Sequence, residues 1–192
     1  MIFNYLPVFV QTTAGSFFNS KSRVMVFIDG SNFYHSLKLS FGSAKIDFPK
    51  FCQSICEDKN LIGVNYYTSP VNQLDQPVQY KAQQTFLESI RKLNKFNVFL
   101  GRLEKRPNGV VVEKGVDVKL AVDLLASAFR NDYDAAIIVS NDSDFVPAIC
   151  EAQKLGKKVI NISFPNTKSF HLNKVCDKTL VVSSNFPFKL GD

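Results

Sequence analysis

Short apolar runs alternate with longer segments of helical periodicity along most of the chain. The apolar runs, rich in β-branched and aromatic residues, predict strands at residues 24–28, 61–68, 97–103, 135–140 and 157–164, with a shorter one at 179–182. Apolar residues at helical spacing predict helices at residues 32–40, 48–58, 76–96, 116–130, 145–156 and 167–175. Strands and helices that alternate in this way form a mostly parallel sheet covered on both faces. The pattern therefore predicts an α/β fold with one central sheet.

Turn and capping residues refine these boundaries. Ser31 or Asn32 is placed to cap the first helix, and Asp47, followed by a proline, is placed to cap the second. Asn108–Gly109 is a tight-turn signal and predicts a hairpin between its flanking residues. Taken alone, Asp144 is explained as the cap of the helix that follows it.

The chain of 192 residues is long enough for one domain with a substantial core. We interpret residues 1–22 as an N-terminal extension and residues 23–192 as the domain. The extension has no basic residue ahead of its apolar part, and Pro7 interrupts that part, so the pattern is not that of a secretion signal. No apolar run approaches the length that spans a bilayer, so no membrane contact is expected.

The cysteines indicate a compartment rather than a metal site. None of the four forms a Cys-x-x-Cys pair, and the chain has only two histidines, which disfavours zinc. Scattered cysteines beside apolar residues are typical of buried thiols in a reducing compartment. We therefore expect a cytoplasmic protein.

Carboxylates directly follow two of the apolar runs. Asp29 follows Ile28, and Asp142 and Asp144 follow the run at 135–140. Because ligands of parallel sheets bind at the carboxyl ends of the strands, we expect these three acids at one edge. Converging carboxylates repel one another, and a hard divalent cation, Mg²⁺ or Mn²⁺, relieves that repulsion. Such an ion can activate water and stabilise charge on a phosphodiester during cleavage.

Two further acids lie in the helix that follows the predicted hairpin. On a helical wheel Asp117 falls in the apolar stripe with Leu120 and Leu124, where an acid is unusual unless it is paired or bound to metal. The wheel thus predicts a core-facing Asp117 at the start of the helix, close to the edge of the sheet. Asp123 follows Lys119 by one turn, and this spacing favours a surface ion pair.

The stretch from residue 91 to residue 119 has a local charge of +5, because eight basic residues outweigh three acids. It is either a solvated basic face or a track for a phosphate backbone. A basic rim beside an acidic metal centre is the layout expected for nucleic-acid hydrolysis. The candidate nucleic-acid contacts within the stretch are Arg102, Lys105, Arg106, Lys114 and Lys119.

Three blocks of sequence carry a family resemblance. VFIDGSNFYHSLK, EKGVDVKLAVDLL and AAIIVSNDSDFVPAICEAQKLGKKV, in this order, resemble the NYN domain of the PIN-like nuclease superfamily, in its LabA-like branch, from about residue 24 to about residue 182. The resemblance implies a three-layer α/β/α sandwich, PIN-like and Rossmann-like, with a mostly parallel central sheet. It also implies a Mg²⁺- or Mn²⁺-dependent endoribonuclease that acts on RNA. Asn141 stands where the family usually has glycine, and asparagine tolerates a left-handed backbone at such a turn.

The resemblance also assigns roles by position. It implies that four acids are catalytic metal ligands: Asp29, Asp117, Asp142 and, directly or through water, Asp144. It implies that Asn32 orients the first of these acids or the attacking water. Asp123 and Ser140 are implied as supporting residues outside the direct ligands, with Ser140 at the strand end below the metal.

Other interpretations of the same residues stay open. A Toprim-like site has glutamate where Asp29 stands, and a haloacid-dehalogenase-like site has an Asp-x-Asp pair where Gly30 and Ser31 follow Asp29, so both fit less well. The main alternative to a nuclease is a non-catalytic RNA-binding or regulatory module that keeps the fold. The sequence does not define which RNA is the substrate. It also leaves open whether the chain forms a homo-oligomer.

Overall fold

A computed structural model describes residues 22–57, 59–107 and 109–182. In this part of the chain eight strands form one six-stranded sheet and one hairpin. The strands are β1 (Arg23–Asp29), β2 (Asn60–Thr68), β3 (Phe96–Leu100), β4 (Arg102–Lys105), β5 (Val111–Lys114), β6 (Ala135–Val139), β7 (Lys158–Ser163) and β8 (Lys178–Val181). The main sheet has the order β3-β2-β1-β6-β7-β8, and all its neighbouring strands are parallel. β4 and β5 pair antiparallel outside it.

Helices cover both faces of the sheet, which confirms the three-layer α/β/α architecture. They are α1 (Gly30–Phe41), α2 (Phe48–Cys56), α3 (Pro77–Arg91), α4 (Val116–Phe129), α5 (Val146–Lys154) and α6 (Phe170–Val175), with a 3-10 turn at Ser143–Phe145. Side chains of α1, α2 and α3 form one buried cluster with the sheet. Side chains of α4, α5 and α6 form a second cluster on the other face. The two clusters form because successive side chains of each strand point to opposite faces of the sheet, and both faces are buried.

The order of the strands reverses between β1 and β6. From β1 the chain adds β2 and β3 on one side, and from β6 it adds β7 and β8 on the other. The loops after β1 and β6 therefore leave the same edge in opposite directions and open a crevice, which is where open parallel sheets bind ligands. Asp29 ends β1 and Asp142 follows β6, so the fold places both acids at this point.

Two predicted elements were too long. The helix predicted at 76–96 ends at Arg91, where the chain turns back into the sheet. The strand predicted at 97–103 is split at Gly101 into β3 and β4. The split has a tertiary cause, because the backbone at Gly101 packs directly against Val116 and the carbonyl group of Lys114.

Two predicted caps were wrong and one was confirmed. Asp29, rather than Ser31 or Asn32, caps α1 by accepting a hydrogen bond from the backbone N–H group of Asn32. Asp144 is not a cap, because Asp142 caps the 3-10 turn that precedes α5. Asp47 caps α2 as predicted, with a proline in the first turn.

The hairpin predicted around residues 108–109 is confirmed by the pairing of β4 with β5, although Asn108 itself lies outside the described residues. The proposed N-terminal extension also lies outside them, apart from Ser22, and so do residues 183–192. Within the described ranges no helix combines the length and the apolar character that crossing a membrane requires.

Candidate active site

Asp29 is a buried carboxylate held at the carboxyl end of β1. Its side chain is only 5% exposed. One oxygen, Oδ1, accepts the backbone N–H of Asn32 at 3.1 Å, and Oδ2 accepts the hydroxyl of Ser140 at 3.2 Å. Burial raises the pKa of Asp29, and the negative charge of Asp117 raises it further. The fold thus fixes one carboxylate at the floor of the crevice and places a second close to it.

Asp117 lies in the first turn of α4, and its predicted orientation was wrong. The helical wheel placed it toward the core, but its side chain is exposed, and Val116 takes the buried position instead. The reason is that the first turn overhangs the edge of the sheet, after a left-handed Gly115 with φ of 86°. Partial burial nevertheless raises the pKa of Asp117, and so do the charges of three neighbouring acids, Asp142, Asp144 and Glu113.

Asp142 and Asp144 occupy the turn that follows β6. Oδ1 of Asp142 accepts the backbone N–H of Asp144 at 2.9 Å. The backbone N–H of Asp142 donates to the hydroxyl oxygen of Ser140 at 3.1 Å. Since the same hydroxyl donates to Asp29, Ser140 joins the two strand ends. Ser140 therefore connects the carboxylate of Asp29 to the turn that carries Asp142.

Asn32 connects α1 to the turn after β6. Its side-chain oxygen accepts both the backbone N–H of Asn141 at 3.3 Å and the side-chain amide of Asn141 at 3.1 Å. That amide also donates to the hydroxyl of Ser36 at 2.8 Å. The left-handed backbone expected at Asn141 is absent, since the described non-glycine residues with positive φ lie elsewhere. Asn141 thus holds the turn through its side chain.

A cavity of about 280 Å³ opens between the start of α1 and the start of α4. Its lining residues are Asp29, Ser31, Asn32, His35, Glu113, Lys114, Gly115, Val116 and Asp117. Two predicted acids, Asp29 and Asp117, therefore face one space from separate elements. Asp142 and Asp144 do not line it, and they approach Asp117 from the side of β6.

Two residues of this cavity were missed by the sequence reasoning. Glu113 is the next-to-last residue of β5, and its Oε2 accepts a hydrogen bond from the hydroxyl of Ser31 at 3.4 Å. His35 follows Asn32 by three residues on α1, a spacing that places both on one side of a helix. That spacing, and the position of Glu113 in the same block as Asp117, were the available signals.

Asp123 takes the ion pair that its spacing predicted. Nζ of Lys119 lies 2.6 Å from Oδ1 of Asp123, and the hydroxyl of Tyr67 donates to Oδ2 at 2.9 Å. The ring of Tyr67 stacks on Phe99, with centroids 4.9 Å apart, and Nζ of Lys119 lies 4.8 Å from the centroid of Phe99. This cluster connects α4 to β2 and β3 outside the cavity. It also holds the ammonium group of Lys119 against Asp123 and Phe99.

The basic stretch is divided between the two edges of the sheet. Its first part does not reach the acids, because Nζ of Lys95 bonds the carbonyl oxygen of Leu61 at the opposite, amino-terminal edge of β2. The hairpin carries the later basic residues, with Arg102 paired opposite Lys114 in the register. Lys114 lines the cavity, while the exposed Lys105 and Arg106 lie toward the hairpin tip.

The donor set suits a hard divalent cation in its chemistry. Four carboxylates supply only oxygen ligands. Burial raises the pKa of both Asp29 and Asp117, and the negative charge of neighbouring acids raises it further. A cation would relieve the repulsion between these acids. Among the described residues, no three Asp, Glu, His or Cys side chains stand close enough together to form a ready metal site.

Comparison with known proteins assigns the family. Residues 23–183 match the NYN domain. The chain belongs to the NYN domain family. Proteins of this family are generally similar to nucleases that act on RNA with divalent metal ions. The match therefore supports a nuclease-type fold and this kind of chemistry at the level of the family.

Individual relatives of this NYN domain add the fold but no activity. An uncharacterized protein of Methanocaldococcus jannaschii is 37% identical over 71 residues, which cover 37% of this chain and 30% of that protein. The crystal structure of a protein of unknown function from Vibrio parahaemolyticus aligns with a TM-score of 0.71 at 22% identity. That alignment covers 88% of this chain and 97% of the Vibrio chain, and it confirms the α/β fold.

Proposed function

We propose that this NYN domain is a Mg²⁺- or Mn²⁺-dependent endoribonuclease of the PIN-like type, in the LabA-like branch. The observation that carries the proposal is the convergence of four acids from three elements. Asp29 and Asp117 line one cavity, and Asp142 and Asp144 are near enough to Asp117 to raise its pKa. Lys114 lines the same cavity. Acids that can hold a cation, beside a positively charged side chain, suit the cleavage of a phosphodiester.

Each acid has a defined part in the proposal. Asp29, Asp117 and Asp142 would hold the ion, with Asp144 binding directly or through water. A bound ion would supply Lewis-acid charge and generate a nucleophilic water at neutral pH. Asp144 is exposed, and in this proposal it would orient that water and accept its proton.

The remaining site residues position these groups. The hydroxyl of Ser140 and the backbone N–H of Asn32 fix the two oxygens of Asp29. Asp123 fixes α4 through Tyr67, and this orients the helix that carries Asp117.

The hairpin is proposed to bind the RNA backbone. Arg102, Lys105 and Arg106 are exposed on it, and Lys114 joins it to the cavity. Lys119 is proposed to contribute less, because its ammonium group already pairs with Asp123. A flexible single strand or loop is favoured as substrate, because the phosphodiester has to enter a crevice at the edge of a sheet.

The test is cleavage of labelled RNA by the wild type, Asp142→Asn and Glu88→Gln. Asn keeps the shape and the capping oxygen of Asp142, so the fold should survive while the charge is lost. We expect cleavage to fall by at least roughly 10- to 100-fold, the usual cost of disturbing a metal site. Glu88 is exposed on α3, whose buried side chains lie on the other face of the sheet, so Glu88→Gln controls for the charge change and should cleave normally.

Three conditions make the cleavage result decisive. Each protein is assayed with Mn²⁺, with Mg²⁺ and with chelator. The nuclease proposal is rejected if wild type is inert on several RNAs with both metals. It is also rejected if Asp142→Asn, or wild type with chelator, cleaves as well as wild type with metal.

Metal binding is measured separately by thermal unfolding. An ion at 100 times its Kd stabilises the folded state by about 2.7 kcal/mol. For a chain of this size that raises Tm by about 5–11 °C. We expect the rise in wild type and in Glu88→Gln, and a smaller rise in Asp142→Asn.

The second candidate is a non-catalytic RNA-binding or regulatory module. It is favoured by the absence, among the described residues, of a ready metal site. Its signature would be salt-dependent RNA binding by a wild type that neither cleaves RNA nor gains stability from metal.

Location and assembly are further parts of the proposal. Cys52, Cys56 and Cys176 are buried free thiols, which suits a reducing compartment such as the cytoplasm. Self-association into a homo-oligomer is compatible with the proposal, and light scattering of the purified chain measures it.

A further inference from the structure

An exposed aromatic residue lies beside the acidic edge, on the flank opposite the hairpin. The chain leaves β7 at this edge and enters α6, and β7 is the immediate neighbour of β6. α6 packs against the 3-10 turn that contains Asp144, since Leu172 and Phe145 are buried in one cluster. The start of α6 thus follows β7, the neighbour of the strand that precedes Asp142, and α6 contacts the turn that carries Asp144.

Phe170, the first residue of α6, is 73% exposed. The centroid of its ring lies 5.8 Å from that of His171, and Nζ of Lys174 lies 5.9 Å from the ring centroid. Lys168 is exposed two residues earlier. Between residues 164 and 176 the chain has these two lysines and no acid, so the surface is positive and aromatic.

The loop that presents Phe170 is held in place. The hydroxyl of Thr167 donates to that of Ser36 at 3.1 Å, and the side-chain amide of Asn166 donates to the carbonyl oxygen of Leu39 at 3.1 Å. Ser169 caps α6. A ring presented from an anchored loop loses little conformational entropy when a ligand stacks on it.

We propose that Phe170 is a stacking platform for an unpaired base of the nucleic-acid strand that enters the acidic crevice, with Lys168 and Lys174 contacting its phosphates. The inference rests on the proposed function and specifies its substrate as a strand with unpaired bases. Every base has a π-face, so stacking tolerates any sequence. A polyanion is the occupant that the charge of this surface complements.

The geometry gives the strand a path. The hairpin with Arg102 and Lys114 flanks the crevice beside β1, and α6 flanks it beyond β6. A strand bound by both flanks would cross the carboxyl ends of β1, β6 and β7, with the acids between its two anchors. A paired duplex could not offer a free base face to Phe170, so single strands should bind better than duplexes.

The experiment measures binding without cleavage, in the Asp142→Asn background. Fluorescence anisotropy with a short single-stranded RNA, with Mn²⁺ and with chelator, compares Phe170→Ala, Phe170→Tyr and Phe129→Ala. Phe129 is the matched control, because it is 82% exposed but ends α4, beside Asn131, which bonds Arg23 at the start of β1. It therefore lies at the opposite edge of the sheet.

We expect Phe170→Ala to weaken binding by roughly 5- to 150-fold, the range for losing one stacked base. The dependence on salt should not change, because no charge is removed. Phe170→Tyr keeps the ring and should bind like the parent, as should Phe129→Ala. An RNA with an abasic site at the stacked position should bind the parent and Phe170→Ala equally.

Several outcomes overturn the inference. The inference fails if Phe170→Ala binds RNA as tightly as Phe129→Ala, or if the parent does not bind RNA. It also fails if Phe170→Ala weakens the binding of a duplex as much as that of a single strand. It fails as well if the substitution changes the oligomeric state and not the affinity for RNA. The last would assign Phe170 to contact between copies of the chain. A single-stranded DNA of the same sequence shows whether ribose is required. If Phe170→Ala weakens RNA binding and the wild type never cleaves RNA, this inference is supported and only the nuclease proposal is rejected.

Discussion

Gly101 holds the hairpin against the start of α4, and a single methyl group there should disturb the wall of the cavity. A Cβ atom at Gly101 would lie 2.6 Å from Cγ2 of Val116, 2.7 Å from the carbonyl oxygen of Lys114 and 3.0 Å from Oγ of Ser69. Ordinary contact begins at 3.4 Å, so the first two atoms would have to retreat by about 0.7–0.8 Å. Val116 is β-branched and Lys114 contributes backbone, so neither can yield by a simple change of rotamer.

We therefore expect Gly101→Ala to lower the free energy of unfolding by about 1–3 kcal/mol, the usual cost of overpacking. For a chain of this size that lowers Tm by about 2–12 °C. The displaced segment contains Glu113 and Asp117, which line the cavity. RNA cleavage, measured well below the Tm of the variant, should consequently fall as well.

Gly63→Ala is the matched control for this experiment. A Cβ atom at Gly63 would lie 3.8 Å from two side-chain atoms of Met25 and 4.0 Å from the carbonyl oxygen of Lys95, which is ordinary contact. The same substitution should therefore be neutral, or stabilising by about 0.4–1 kcal/mol through a less flexible unfolded chain. Thermal and urea unfolding followed by circular dichroism measure both variants. If Gly101→Ala unfolds together with wild type and Gly63→Ala, the steric reasoning is refuted.

Two further predictions concern contacts that hold the site elements. Tyr67→Phe removes the 2.9 Å hydrogen bond to Asp123 but keeps the ring stacked on Phe99. The free energy of unfolding, measured with urea, should therefore fall by about 1.5–3 kcal/mol. An unchanged urea midpoint would contradict this prediction. The hydrogen bond from the Arg23 guanidinium holds the pKa of Asp134 below its usual value. Its contribution to stability is therefore present above the unfolded pKa of about 3.9 and is lost as pH falls through the lower folded value. Asp134→Asn should flatten the acid end of the stability curve, and a curve parallel to that of wild type would count against this.

The sheet and the placement of the first acids could be predicted because they depend on local periodicity. The apolar runs that became β1 and β6 are buried on both faces, and a parallel sheet must then present both carboxyl ends at one edge. Asp29 and Asp142 follow those runs directly. Their convergence therefore follows from strand direction alone, without any knowledge of side-chain contacts.

The orientation of Asp117 could not be predicted in this way. A helical wheel treats every turn as if it lay over the sheet, and in α4 the wheel was right for Leu120 and Leu124, which are fully buried. The first turn of α4 extends past the sheet, so the same angular position is open to solvent there. The wheel gives the direction of a side chain but not whether the sheet continues beneath it.

The break at Gly101 and the role of Glu113 depend on contacts between distant parts of the chain. The apolar run continues from β3 into β4, so local pattern favours a single strand. The packing of Gly101 against Val116 divides it. Glu113 meets Ser31, which is 82 residues earlier in the chain. Such pairings are set by how the hairpin docks on the finished sheet, and no local spacing encodes them.

The docking of the hairpin couples the two halves of the proposed chemistry. Glu113 and Lys114 are the last two residues of the hairpin, and after Gly115 the chain enters α4 at Val116, one residue before Asp117. A basic backbone contact and an acidic ligand are thus joined by rigid secondary structure a few residues long. If RNA draws the hairpin toward the crevice, it must also move the first turn of α4.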